Sequence, residues 1–272
     1  MTRAFRRFGL GLATLLGAPR GWFIPHRYAG SAAPPLLYPA LEPVFAAAVP
    51  DMHAVLRDAD RFAPDFARFG GTPPAPRFEQ DWFPRLDAVA AYALLRRRAP
   101  ARIVEIGSGH STRVLARAIA DGGLATVLTA IDPAPRADLA GLAIEIIRAP
   151  IQQAPITVLG AGDFLCIDSS HVLMPGSDVD LLFNQVMPVL PAGVLVHLHD
   201  IFLPDAYPVA WRWRGYNEQN ALVAMLLDKG WRILWSSRWV VTRKPEWVTA
   251  SVAANLPLPM GAFETSLWLE RR

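Results

Sequence analysis

One cysteine, Cys166, stands in a chain of 272 residues. That excludes an intrachain disulfide and points to a reducing compartment, so the expected location is the cytoplasm. Lying in the apolar strand-like run Asp163–Asp168, the thiol reads first as a packing residue. Charge is sparse as well, at 19% of residues with a formal net charge of +3. No long Lys/Arg run or RNA-binding signature is present, which argues against a nucleic-acid partner. No apolar stretch has the length of a bilayer-spanning helix, and there is no internal repeat or low-complexity tract. Apolar side chains are plentiful, at 52%, enough for one large α/β domain or two small ones.

Arg3, Arg6 and Arg7 precede the apolar run Phe8–Ala18. Three readings stand side by side for this segment. It is a helix packed on the rest of the fold, a helix on a membrane surface through residues 1–18, or a signal segment without a clean small-x-small site before Pro19-Arg20. Residues 1–98 are expected to form a mainly helical accessory segment, with helices at Leu41–Phe66 and Leu86–Arg98 around the turn-rich stretch Gly70–Pro76. Pro100 stops the second helix, and Arg96-Arg97-Arg98 read as its solvated end.

Residues 99–272 are expected to form the second domain. Strands and helices alternate there, the pattern of a parallel sheet covered on both faces. Strands are expected at Arg102–Ile106, Thr126–Ile131, Ile144–Arg148, Asp163–Asp168, Gly193–His199, Arg232–Ser237 and Ser266–Glu270. The clearest helices are Thr112–Asp121, Val179–Val189 and Glu218–Lys229, the last with Gly230 as its C-cap.

The stretch RIVEIGSGHST, Arg102–Thr112, carries the most chemistry. A strand ends in Gly107-Ser108-Gly109 and passes straight into a helix, a geometry that cradles nucleotides. The next strand ends in Asp132, placed to hold ribose hydroxyls. A dinucleotide fingerprint requires glycine where this chain has Thr112. The turn Glu105-Ile106-Gly107-Ser108-Gly109 resembles instead the E-x-G-x-G turn of class I S-adenosylmethionine (SAM)-dependent methyltransferases, with Ser111 where many members have a third glycine. DFLCIDSSHV (Asp163–Val172), GVLVHLHDIFLPDAYP (Gly193–Pro208) and YNEQNALVAMLL (Tyr216–Leu227) together resemble the bacterial methyltransferase-24 type. The stretch FPRLDAVAAYALLRRRAPARIVEIGSGHST, the closing SLWLERR and parts of GWFIPHRY are similar to that family too.

The resemblance implies a Rossmann-like seven-stranded sheet with helices on both faces and an antiparallel final strand, preceded by the helical N-terminal extension. It implies SAM as cofactor, held by Glu105, Gly107, Ser108, Gly109, Ser111, Asp132 and Asp168, with Glu105 near the cofactor amino group. Asp168 and Asp200 end neighbouring strands, and such a pair of hard oxygen ligands suits Mg²⁺. Metal-dependent catechol-type enzymes, however, have Asn after the second acid, where this chain has Ile201. His171 and His199 are candidate general bases, with Asp200 beside them, because a hydroxyl acceptor must lose its proton. His197 lies deeper in its strand and reads as a core histidine. Asp163 reads as a structural acid. Trp211-Arg212-Trp213-Arg214 reads as part of an acceptor pocket or as a packed loop. Asn217 suits the N-cap of the helix at Glu218; Glu218 and Gln219 carry no assigned role.

The expected function is methylation of a small-molecule or saccharide hydroxyl. A metal-dependent tailoring enzyme of the same fold and a non-catalytic ligand-binding or scaffold protein are the alternatives.

Overall fold

The computed structural model describes residues 3–18, 20–22, 26–31, 36–155 and 157–272. Phe23–Pro25, within the GWFIPHRY stretch, lie outside the described residues. Contacts divide the chain into two compact units, residues 1–35 and 36–272. The first contains the helix α1 (Arg3–Leu15) and a short turn at Ala29–Ser31.

In the second unit, seven apolar strands form one sheet. They are β1 (Arg102–Ile106), β2 (Val127–Ile131), β3 (Glu145–Ile147), β4 (Phe164–Ile167), β5 (Leu195–Leu198), β6 (Trp231–Ser236) and β7 (Leu267–Arg271). The strand order is β3-β2-β1-β4-β5-β7-β6, with β7 antiparallel to both neighbours and the others parallel. β4 and β5 are buried at every residue, as strands covered on both faces must be. The order reverses between β1 and β4. A crevice at the carboxyl ends of the strands therefore opens there, where a ligand can enter.

The chain preceding β1 forms α2 (Glu42–Ala47), α3 (Val49–Asp60), α4 (Ala63–Phe66) and α5 (Arg85–Arg98). The expected single helix over Leu41–Phe66 is thus three helices. Pro43, Pro50 and Pro64 each sit in a first turn, where a missing N–H costs nothing, and each starts a new helix. In α5 every residue from Leu86 to Leu95 is buried. That helix packs on α3 and on α6 (His110–Gly122), so the division expected at 98/99 falls inside the second unit. The Arg96–Arg98 run is not simply solvated. Arg96 pairs with Asp65 at 3.2 Å, Arg97 with Asp58 at 2.6 Å and Arg98 with Glu270 at 3.2 Å.

Later helices are α7 (Asp178–Leu181), α8 (Glu218–Leu227), α9 (Ser237–Arg243) and α10 (Pro245–Thr249). The helix expected over Val179–Val189 keeps its α form only to Leu181. It widens at Leu182–Val186 and tightens at Met187–Val189, around Pro188. Gly230 is not a C-cap, because α8 ends at Asp228 in extended conformation. A Cβ on Gly230 would lie 2.5 Å from the Arg271 guanidinium, which donates to the Gly230 carbonyl at 3.0 Å.

Candidate active site

The glycine turn after β1 is wedged between two strand ends. Gly107 donates its N–H to Ile131 O at 3.0 Å, and Asp168 donates to Ile106 O at 2.9 Å. Gly107 has φ +81°, and a Cβ there would lie 2.0 Å from the Asp168 carbonyl oxygen. Both facts demand glycine. Gly109 is different, since a Cβ there meets nothing within 4 Å. Open space thus lies over the turn at the start of α6, where the first N–H groups have no helical partner. That open space leaves room for a nucleoside cofactor such as SAM.

Below the turn, Glu105 is buried and accepts from Ser111 Oγ and Thr112 Oγ1, each at 2.6 Å. Burial pushes its carboxyl up to about 7, against the two hydroxyl bonds. Glu105 and Ser111 therefore clamp strand to helix from inside, while Gly107, Ser108 and Gly109 form the turn above them. Asp132 Oδ2 accepts from the Ser108 N–H and hydroxyl, both at 2.8 Å, and Oδ1 accepts from Ala134 N at 2.8 Å. Three donors leave acceptor capacity on a carboxylate with about four sites, so Asp132 can brace the turn and still take a ligand hydroxyl.

Beside the turn, two acids and two imidazoles interleave. Asp168 follows β4 and Asp200 follows the adjacent β5. His171 Nε2 lies 3.1 Å from Asp168 Oδ1 and 3.6 Å from Asp200 Oδ2. His199 Nδ1 lies 3.7 Å from Asp168 Oδ1 and 3.6 Å from Asp200 Oδ1. His171 and Asp200 hold φ of +60° and +57°, a conformation unusual outside glycine, so the local backbone is strained where these groups meet. Asp168 alone among the four keeps much contact with solvent, its side chain 40% exposed.

Each imidazole is backed by a second, buried carboxylate. Glu218, the first residue of α8, lies 2.6 Å from His171 Nδ1. Asp87, in the first turn of α5, lies 3.2 Å from His199 Nε2 and also accepts from Thr265 N and Ser266 N. Burial alone would lower both imidazoles. Glu218, Asp168 and Asp200 outweigh it at His171, and Asp200, Asp168 and Asp87 outweigh it at His199, so both titrate well above the usual histidine range. At Asp168 burial acts upward, but His199 and His171 hold it well below the usual carboxylate range. The surrounding carboxylates thus favour the imidazolium form of both rings, and either ring must be neutral to take a proton.

Among the described residues no set of three or more His, Cys, Asp or Glu side chains is arranged to hold a metal ion. His171 Nε2 and His199 Nδ1 each lie within 3.7 Å of both Asp168 and Asp200. The donor set does not fit Mg²⁺, which requires oxygen ligands.

The remaining candidates fall outside this cluster. His197 is buried, 2.8 Å from Ser266 Oγ, and its ring stacks on Trp268 at 4.7 Å. Burial pushes it down to about 3, so it is a neutral core histidine. Asp163 accepts from Arg102 N and Gly160 N as a structural acid, and burial pushes the Cys166 thiol well up. Asn217 precedes α8 but does not cap it, because its amide clamps the backbone of Leu173 instead. Trp211 packs on Phe202 at 5.0 Å, and Arg214 lies 4.0 Å over Trp211 while donating to Tyr216 OH. The Tyr216 ring is 4.4 Å from His171, so this loop forms an aromatic wall to the cluster.

Sequence reasoning missed Asp87 and gave Glu218 no role. It also passed over His110, whose Nδ1 is buried without a partner at the start of α6 and which burial pushes down to about 4. A lone acid in the apolar helix LDAVAAYALL was the available signal for Asp87, since an unpaired charge there is costly.

Residues 104–201 match the family model described as a methyltransferase domain. No curated protein matches the chain. Among solved structures, the chain is similar to the S-adenosylhomocysteine-bound methyltransferase PaMTH1 of Podospora anserina, at 17% identity over 93% of this chain and 99% of that one, with a TM-score of 0.45. It is also similar to DhpI in a DhpI-SAM-HEP complex, at 15% identity over 79% and 94% of the two chains, with a TM-score of 0.37. The [4+2]-cyclase SpnF is similar at 17% identity over 80% and 95%, with a TM-score of 0.37. The matched segment runs from the glycine turn through Asp168 to Asp200, within a seven-stranded sheet whose last strand is antiparallel. Residues 104–201 thus match a methyltransferase-domain model and lie within a seven-stranded sheet of order β3-β2-β1-β4-β5-β7-β6.

Proposed function

We propose that this chain methylates a hydroxyl of a small-molecule or saccharide acceptor, using SAM. The single observation that carries the reading is the contact between Gly107 and Asp168. Because the turn abuts that residue's backbone, cofactor cradle and carboxylate–imidazole cluster open onto one place. In this reading Gly107, Ser108, Gly109 and Asp132 face the cofactor, with Glu105 and Ser111 supporting them from below. SAM, when bound, supplies a methyl group activated by a sulfonium.

The chain's own residues then have two tasks. Asp168, the exposed member of the cluster, orients the acceptor hydroxyl, and orientation supplies much of the rate in an in-line displacement. The hydroxyl proton passes to the cluster, where His199 or His171 can take it only in neutral form. Asp200 shares both rings and holds them in place. Turnover is thus expected to rise with pH through the raised imidazole values. This reading gives Mg²⁺ no role, because imidazole nitrogens crowd both acids, and turnover is expected to persist in EDTA. A reducing, cytoplasmic location belongs to the reading and rests on the free, buried Cys166.

The test is a screen of phenolic, aliphatic and saccharide acceptors read by release of S-adenosylhomocysteine, with His199→Ala and Asp200→Asn alongside. Both variants should lose most turnover while binding SAM within a few-fold of wild type. Normal turnover in both would refute the catalytic assignment. Turnover abolished by EDTA would restore a metal at Asp168 and Asp200.

A further inference from the structure

The carboxylate cluster does not account for the chain's first unit. We propose that α1 docks on a membrane surface rich in anionic lipid, with its axis in the membrane plane. At 100° per residue, Phe5, Phe8, Leu12 and Leu15 fall within an arc of about 80°. In the folded chain Phe5 is 68%, Phe8 69% and Leu15 65% exposed, and Leu16 in the following turn is 77% exposed. Large apolar side chains grouped this way mark an interaction surface.

The opposite side of the helix carries Leu10 beside polar groups, of which Thr14 is already engaged. Thr14 Oγ1 donates to Leu10 O at 2.9 Å and accepts from Arg20 N at 3.1 Å. The chain leaving α1 thus folds back over the polar side and leaves the apolar side open. Arg6 and Arg7 lie on the far half of the helix, about 140° and 120° from the centre of the apolar arc, where their charge faces the headgroup side.

Charge identifies the occupant. Five of the 27 Lys and Arg side chains lie in residues 1–41, where none of the 24 acids lies. The rest of the chain therefore has a small excess of acid, and the basic bias belongs to this end alone. An apolar arc with arginines on the other half of the helix, on a segment without acids, complements an anionic bilayer. The 13 residues of α1 span about 20 Å, short of the roughly 30 Å bilayer core. Among the described residues no helix is long and apolar enough to cross. The helix therefore lies on the surface rather than through it.

The experiment is cosedimentation of the full chain with phosphatidylcholine vesicles, with and without about 30% phosphatidylglycerol as the anionic lipid. Wild type should bind the anionic vesicles, bind neutral ones far more weakly, and release in about 1 M salt, where the Debye length is about 3 Å. Arg6→Gln/Arg7→Gln should weaken binding roughly thirtyfold, given the usual contribution of each arginine near an anionic surface. Phe8→Glu/Leu12→Glu should abolish binding, with the thermal transition of the second unit unchanged in both variants. The proposal is overturned if wild type ignores anionic vesicles, binds neutral ones equally, or binds undiminished with Glu at 8 and 12. Mass spectrometry showing residues 1–18 removed from the protein isolated from cells would overturn it too.

Discussion

Asp87→Asn is the most informative perturbation of the cluster, because it removes one charge while keeping the side chain's shape. Asp87 is fully buried and lies 3.2 Å from His199 Nε2. A hydrogen bond to a charged group contributes about 1.5–3 kcal/mol, and breaking a buried pair from one side costs about 3–5 kcal/mol. In a fold of this size, a loss of about 3 kcal/mol lowers the melting temperature by roughly 6–12 °C. The same bond, together with the larger effects of Asp200 and Asp168, raises His199 above the usual histidine range. With its folded value raised, His199 contributes stability that is fully present below the unfolded value near 6.5 and lost as pH rises through the folded value. The stability gap between wild type and Asp87→Asn should therefore be widest at or below about pH 6.5 and shrink on the alkaline side. Calorimetric melting across pH, with titration of the His199 ring by NMR, measures both quantities. An unchanged His199 titration, or a gap independent of pH, would refute the coupling of Asp87 to the cluster.

Two further predictions concern the turn. Gly107→Ala should destabilise the fold by several kcal/mol, since it combines positive φ with a contact 2.0 Å from backbone, whereas Gly109→Val should spare the fold more and cut SAM affinity by filling the cradle. Melting and calorimetric titration separate the two effects; equal melting of the pair would contradict the geometry. Glu105→Gln tests the buried clamp. A carboxyl raised from 4.5 to about 7 costs stability as pH rises between those values, about 3 kcal/mol in full. The glutamine variant should gain on wild type above pH 7, as denaturant unfolding at pH 5 and 8 would reveal, and an equal difference at both pH values would count against it.

The sheet was legible because its strands are short apolar runs bounded by glycine, proline and acids. Six of the seven have both ends within one residue of where periodicity puts them, and the exception, β5, starts two residues late and ends one early. The Gly107–Gly109 turn and the acids at Asp132, Asp168 and Asp200 were legible for the same reason, since strand ends locate them. Helix boundaries were harder wherever proline intervened. Pro43, Pro50 and Pro64 are compatible with helix starts as well as stops, so the apolar pattern alone merged three helices into one. Charge states were not legible. His171 and His199 read as neutral bases until Glu218 and Asp87 came into contact with them from 47 and 112 residues away in sequence. Such partners depend on tertiary packing, which local pattern does not encode.

The central claim is that the turn after β1 and the acids beside it form one cofactor site. Calorimetric titration of the full chain with SAM and with S-adenosylhomocysteine tests it most directly, repeated on Gly109→Val and Asp132→Ala. The account predicts saturable binding at one site, lost or strongly weakened in both variants and unaffected by EDTA. Absence of binding to either ligand, or wild-type binding in both variants, would contradict it.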